Sequence, residues 1–187
     1  MREDRQSSLD PAIRPGQIWL IEQPSATVLF SFDRDALISA DVVIYDRALA
    51  PLVARFLPIG AYAEPWSPDV PAADSTISAR ALQFAAEGWS VVQLVEARPG
   101  WRERLRDAVG ALKPLSGGND LPLVAIAKTT ADRYRRWDGC LRNSSDLIDE
   151  FGDDDPLTLV FLGRSLSATR HRPTPLPPTD SPAEAQL

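Results

Sequence analysis

The sequence is poor in the residues that build disulfides and histidine-centred sites. Its 187 residues include one cysteine, Cys140, and one histidine, His171. A single cysteine excludes a framework of disulfides within the chain. The histidine lies in a Pro-rich stretch near the end of the sequence, where residues are usually solvated. We therefore expect no Ser-His-Asp triad, no histidine-based centre and no metal site.

Basic charge and long apolar runs are also scarce. The net charge is -6 and the sequence pI is about 4.8, whereas a nucleic-acid-binding surface needs a basic patch. No apolar stretch is long enough to span a bilayer, and the first ten residues are polar, unlike a signal peptide. The sequence predicts a cytoplasmic protein with no nucleic-acid partner and no membrane partner.

What the sequence does contain is an alternation of strand-like and helix-like segments. Hydrophobic residues make up 44% of the chain, which is enough for one sizeable core. In the predicted strand 41–45, the residues that follow Asp41 are continuously apolar and rich in β-branched residues, as expected for a strand covered on both faces. The pattern predicts an α/β fold, with a largely parallel sheet and helices on both faces.

The individual elements follow from apolar spacing and from Pro, Gly and capping residues. We predict strands at 17–21, 41–45, 61–65, 89–95, 121–127 and 157–162. We predict helices or helical turns at 33–39, 51–57, 75–87 and 101–112, and a short helix from Ser144 or Ser145 to Phe151. Asp74 is the expected cap of the helix at 75–87. The Pro-rich stretch from Arg170 onwards is not expected to form a core.

Several segments together carry a family resemblance. They are Ala40-Asp41-Val42-Val43-Ile44-Tyr45-Asp46-Arg47 with Pro58-Ile59-Gly60, then Ala86-Glu87-Gly88-Trp89, Leu121-Pro122-Leu123-Val124 and Leu159-Val160-Phe161-Leu162. In order and spacing they resemble the tetrapyrrole methylases, in particular the uroporphyrinogen-III C-methyltransferases (the methylase domain of siroheme synthases). A large central piece of that family has no counterpart between about residues 95 and 101.

The resemblance implies a cofactor, a substrate class and roles for individual residues. The cofactor would be S-adenosylmethionine, contacted by Pro24, Thr129 and Thr130, and the partner a tetrapyrrole, contacted by Arg47, Arg133 and Arg135. Asp46 aligns with the proton acceptor that methylation of a pyrrole carbon requires. The resemblance also implies a homodimer.

The sequence departs from the family at the positions closest to the chemistry. The glycine-rich loop after the first strand is Ile21-Glu22-Gln23-Pro24-Ser25-Ala26 here, and the second glycine loop is Glu96-Ala97-Arg98-Pro99-Gly100. Glycines in such loops allow the backbone to approach a ligand closely. The proton-donor lysine falls nearest Pro68, which carries no proton to donate.

Asp46 and the basic cluster around Arg135 also have a purely structural interpretation. Asp46 could cap the following helix or pair with Arg47, as Asp residues after strands often do. The basic cluster Arg133, Arg135 and Arg136, with Tyr134 and Trp137, could bind carboxylates. The alternative that we favour for this cluster is an exposed loop, or a loop that packs Trp137 into a neighbour.

The resemblance also suggests how the chain is divided. We predict a disordered arm at 1–15, a methylase-like first domain at 16–112, a remnant of the second domain at 121–169 and a disordered tail at 170–187. Two functions stay open. One is a divergent S-adenosylmethionine-dependent methyltransferase with weak or lost activity. The other is a non-catalytic binding or regulatory module, associated with siroheme or cobalamin metabolism.

Overall fold

The computed structural model describes residues 12–24, 26, 29–66, 77–101, 122–128, 134–140, 151 and 156–161. The predictions for the tail, for the position of Pro68, and for most of the helices at 101–112 and 144–151 lie outside these residues. No helix in the described ranges is long and apolar enough to cross a membrane.

Seven strands form one mixed sheet. They are β1 (Ile18–Gln23), β2 (Val42–Asp46), β3 (Tyr62–Trp66), β4 (Val91–Glu96), β5 (Pro122–Lys128), β6 (Tyr134–Cys140) and β7 (Leu157–Phe161). Their order across the sheet is β3-β2-β4-β1-β7-β5-β6. β3, β2, β4 and β1 pair in parallel, whereas β7 is antiparallel to β1 and β5, and β6 is antiparallel to β5. Most strands therefore point the same way, and the α/β prediction is confirmed.

Three helices connect the parallel strands. They are α1 (Ser31–Ser39), α2 (Ala50–Phe56) and α3 (Ala79–Ala86). The connections β1–α1–β2 and β2–α2–β3 move towards the β3 edge, and β3–α3–β4 moves back. Because parallel crossovers are right-handed, this reversal puts α3 on the opposite face from α1 and α2. Helices cover both faces, as the sequence predicted.

Strand residues alternate between two cores, one on each face of the sheet. Ile18, Leu20, Leu157 and Leu159 pack with Ala81 of α3. The intervening residues, such as Trp19, Ile21 and Val160, pack with Leu37 of α1 and Leu52 of α2. All of these residues are at most 5% exposed. The continuous apolar runs in the sequence therefore reflect burial on both faces.

Two local predictions are wrong. The helix predicted at 75–87 begins at Ala79, and its cap is Ser78 rather than Asp74, because the Ser78 side chain accepts a hydrogen bond from the Arg80 amide. The segment that contains Arg135 and Arg136 is strand β6 rather than a loop, although both residues are exposed as predicted. It pairs with β5 from Tyr134 to Cys140.

The two predicted domain ranges contribute to the same sheet. β1 belongs to the range 16–112 and β7 to 121–169, yet they pair directly in the middle of the sheet. At the start of the described chain, Ile13 is only 6% exposed and packs with the α1 face. The packed structure therefore begins before residue 16, because Ile13 adds an apolar side chain to that core.

Candidate functional site

The last residues of five strands lie along one edge of the sheet, which we call the carboxyl edge. They are Gln23, Asp46, Trp66, Glu96 and Lys128. In open α/β sheets, ligands bind beyond this edge, at the point where the chain continues from two neighbouring strands to opposite faces of the sheet. β1 leads to α1, whereas the chain after β4 reaches Trp101, which packs in the core on the α3 face. The candidate site therefore lies around the ends of β1, β4 and the adjacent β2.

Asp46 ends β2 at this edge, and both of its carboxylate oxygens are engaged. Oδ1 accepts a hydrogen bond from the Ala48 amide at 3.2 Å, which caps the 3-10 turn Arg47–Leu49. Oδ2 accepts from Nη2 of Arg98 at 2.8 Å. The Asp46 side chain is only 7% exposed. The capping interpretation is correct, but the ion-pair partner is Arg98 rather than Arg47.

Arg98 follows β4 by two residues and connects neighbouring strand ends. Its Nε donates to Glu96 at 3.0 Å while Nη2 reaches Asp46. Beside it, the amide of Ala97 donates to the carbonyl of Gln23 at 2.9 Å. The Arg98 side chain remains 44% exposed. The sequence signal for Arg98 was a lone arginine just after a strand, which is too common to single it out.

The structure brings some predicted site residues together and separates others. Pro24 follows β1, Arg47 follows Asp46, and both are exposed at the carboxyl edge. Arg135 lies on β6, five strand positions from β2, or roughly 24 Å at ordinary strand spacing. There its guanidinium lies over the ring of Phe151 at 5.3 Å. Thr129, Thr130 and Arg133 lie outside the described residues.

A second polar cluster lies inside the fold at the same edge, on the α1 face. Asp33 of α1 and Lys128 of β5 form an ion pair in which both side chains are completely buried. Asp33 also accepts hydrogen bonds from Thr158 Oγ1 at 2.7 Å and from Gln23 Nε2 at 3.2 Å. The ring of Phe30 lies 5.4 Å from Lys128 Nζ. We refer to Gln23, Asp33, Lys128 and Thr158 as the buried polar cluster.

The buried polar cluster is suited to holding elements together rather than to chemistry. Asp33 accepts three hydrogen bonds, which compensate the cost of burying its charge. Gln23 Oε1 is buried without a hydrogen-bond partner. No local sequence pattern pointed to this cluster, because its members are up to 135 positions apart. Within the described ranges, no group of three or more acidic, His or Cys side chains is arranged to hold a metal ion.

The described part of the carboxyl edge does not fit S-adenosylmethionine in the way that glycine-rich loops hold it, with the protein backbone close to the cofactor. The Ala97–Gln23 hydrogen bond joins the ends of β1 and β4, and the Arg98 side chain crosses from β4 to Asp46. Ala97, Arg98 and Pro99 carry side chains where such an approach needs glycine. Gly100, with φ of 71°, is the one glycine among the described residues of these two loops.

Comparisons with known proteins leave the function open. No protein-family model matches the chain, and no curated protein matches it. Among solved structures, a cobalamin biosynthetic enzyme, cobalt precorrin-4 methyltransferase, is similar over 77% of this chain and 93% of its own, at 13% identity and a TM-score of 0.35. A similarity of this size carries no functional assignment, and the α/β fold class follows from the strand order alone.

Proposed function

We propose that this chain is a non-catalytic binding module, which uses the carboxyl edge around Asp46, Arg98 and Arg47 to bind a carboxylate-rich ligand of the tetrapyrrole class. The observation that carries the proposal is the state of Asp46. One carboxylate oxygen caps a turn and the other accepts a hydrogen bond from Arg98. A general base must reach the proton it removes, whereas the Asp46 side chain is only 7% exposed and is held by the Ala48 amide and by Arg98.

The two arginines at this edge supply the binding chemistry. A guanidinium has five N–H donors, and Arg98 uses two of them, towards Glu96 and Asp46. Its side chain is 44% exposed, so the remaining donors can reach a carboxylate in solution. Arg47 is exposed beside Asp46. Planar, paired hydrogen bonds from arginine suit carboxylates, and the family resemblance supplies the class of ligand.

A titration of the purified chain tests the proposal. Uroporphyrin, a tetrapyrrole with many carboxylates, is added while tryptophan fluorescence and calorimetry follow binding. Arg98→Gln should weaken binding by roughly ten- to a hundredfold, because one charge-assisted contact contributes roughly 1.5–3 kcal/mol. Arg34→Gln is the matched control, since Arg34 is exposed on α1 and pairs with Asp35 on the same helix. Equal affinities of wild type and Arg98→Gln, or no binding of uroporphyrin, would contradict the proposal.

The second candidate is a methyltransferase, and one observation favours it. Asp46 lies at the carboxyl end of a parallel strand, where catalytic groups of open α/β sheets are found, and its partner Arg98 is exposed enough to be displaced. In this case S-adenosylhomocysteine binds tightly, and the methyl transfer seen with S-adenosylmethionine is abolished by Asp46→Asn. Binding of S-adenosylhomocysteine no tighter than the millimolar range rules this candidate out in favour of the binding module.

A further inference from the structure

β6 is the last strand at its end of the sheet. Its inner side pairs with β5 along all seven residues, from Tyr134 to Cys140. No other strand among the described ranges pairs with its outer side. An open edge is a template for another strand, and proteins either block it or use it. The side chains on β6 indicate which of these applies.

Two opposite charges lie on the same side of β6. Arg136 and Asp138 are two residues apart, so both point to one face of the sheet. Nε of Arg136 donates to Oδ1 of Asp138 at 2.8 Å. Their side chains are 31% and 61% exposed. The Arg135 side chain points to the opposite face, where its Nη2 donates to the carbonyl of Phe151.

We propose that β6 is a self-association edge, on which β6 of a second copy of this chain pairs antiparallel about a two-fold axis at Trp137. In this register Arg136 lies opposite the partner's Asp138, and Asp138 opposite the partner's Arg136. The Arg136–Asp138 pair within each strand is then replaced, so that the dimer has two cross-strand pairs of opposite charge. Cross-strand pairs of opposite charge stabilise antiparallel sheets. The two seven-stranded sheets join into one continuous sheet.

The charges select this register over its neighbours. Moving the axis to Arg136 would place two arginines directly opposite each other, and moving it to Asp138 would oppose two aspartates, which is unfavourable. The chosen register fits the antiparallel hydrogen-bond pattern whether the odd-numbered or the even-numbered residues of β6 direct their N–H and C=O groups outwards. Residues paired across it differ by an even number, so both members of a pair direct their N–H and C=O groups the same way.

The opposite edge of the sheet lacks this complementarity. β3 contains Pro65, which has no N–H to donate to a neighbouring strand. A two-fold axis at the centre of β3 would oppose Glu64 to a second Glu64. Self-association is therefore expected at β6 rather than at β3, and it does not require the proposed ligand.

A charge-reversal experiment tests the proposal with the full chain. Light scattering after size exclusion measures the mass of wild type, Arg136→Asp and Asp138→Arg. Each single variant places like charges opposite each other, so its self-association should weaken by at least about tenfold. Mixing the two variants restores opposite charges at both positions, and a heterodimer should form. The double variant, with both changes in one chain, should dimerise like wild type.

Matched controls and a structural readout complete the test. Arg34→Asp and Asp35→Arg make the same charge changes on α1, where they should leave the mass of the dimer unchanged. Hydrogen exchange should slow for the amides of β6 as protein concentration rises. A monomeric wild type, a dimer that resists both β6 variants, or single variants that fail to pair with each other would each overturn the proposal.

Discussion

At the scale of single residues, the least expected feature is a charged pair with no exposure to solvent. Asp33 and Lys128 are 95 positions apart, and both side chains are completely buried. Lys128 is one of only two lysines in the chain, beside 18 arginines. A buried ion pair contributes little net stability compared with an apolar pair, but the loss of one partner leaves an uncompensated charge. The pair therefore makes the position of β5 against α1 specific.

The buried pair gives a residue-scale prediction. Lys128→Met should lower the free energy of unfolding by about 3–5 kcal/mol, because Asp33 is then buried without its cation. Lys128→Met combined with Asp33→Asn removes both charges and keeps one acceptor oxygen for Thr158. The introduced amide NH2 can donate to Gln23 Oε1, which has no partner now, once the Gln23 amide flips, so the double variant should recover at least half of the loss. Urea denaturation followed by circular dichroism measures both. A single variant within about 1 kcal/mol of wild type would show that Asp33 finds another partner.

At the scale of elements, α3 shows how polar contacts determine where a helix lies. The Ser78 hydroxyl accepts from the Arg80 amide, while the Ser78 amide donates to the buried Gln93 of β4 at 2.9 Å. Towards β3, Arg80 pairs with Glu64 at 3.6 Å. Glu64 in turn accepts from Tyr62 at 2.9 Å, and this hydrogen bond raises the pKa of Tyr62 above its ordinary value of 10.0.

The cap of α3 gives an element-scale prediction. Ser78→Ala removes the side-chain acceptor and should lower the free energy of unfolding by about 1 kcal/mol. Ser78→Thr keeps a hydroxyl and should lose less. Hydrogen exchange should speed up in the first turn of α3 before it changes in the strands. Equal stability of Ser78→Ala and wild type would mean that water satisfies the exposed amides of the helix.

The elements also show where prediction from sequence succeeds. β2 and β4 were predicted because their sequences are mostly apolar and rich in β-branched residues, as expected for strands that are buried on both faces. β6 was not predicted as a strand, since it carries Arg135, Arg136, Asp138 and Gly139 in seven residues. Its conformation comes from pairing with β5, and such tertiary context overrides local preference.

The candidate site was predictable only in part, for a similar reason. Asp46 could be placed at a strand end from its own neighbours in sequence. Its partner Arg98 is 52 positions away and reaches it because β2 and β4 are adjacent in the sheet. No local pattern encodes that adjacency. The same holds for Lys128 and Thr158, which meet Asp33 through the pairing of β5 with β7.

At the scale of the whole molecule, strands from both ends of the described chain form one sheet. β1 has β4 on one side and β7 on the other. The core on the α3 face combines Ile18 and Leu20 with Leu159 and Phe161. Neither half of the sheet buries β1 completely without the other, so we expect the described strands to unfold together.

A truncation gives the prediction at this scale. Removing residues 122–187 leaves the β7 side of β1 unpaired and exposes apolar residues such as Leu20 that pack against the missing strands. We expect the shortened chain to lose cooperative unfolding and to aggregate, whereas the full chain should show one calorimetric transition. Two separate transitions in the full chain, or a sharp transition in the shortened one, would instead indicate two independent domains.

The central position of β1 has a consequence for synthesis on the ribosome. β4 is complete at Glu96, but β7 begins only at Leu157, 61 positions later. At about 5–20 residues per second, translation takes roughly 3–12 s to cover that distance. During this interval the nascent chain can form four parallel strands with one side of β1 still unpaired. The yield of folded protein therefore depends on how well the unpaired side of β1 is protected from neighbouring nascent chains. Slow translation lengthens the time for which this side of β1 is exposed.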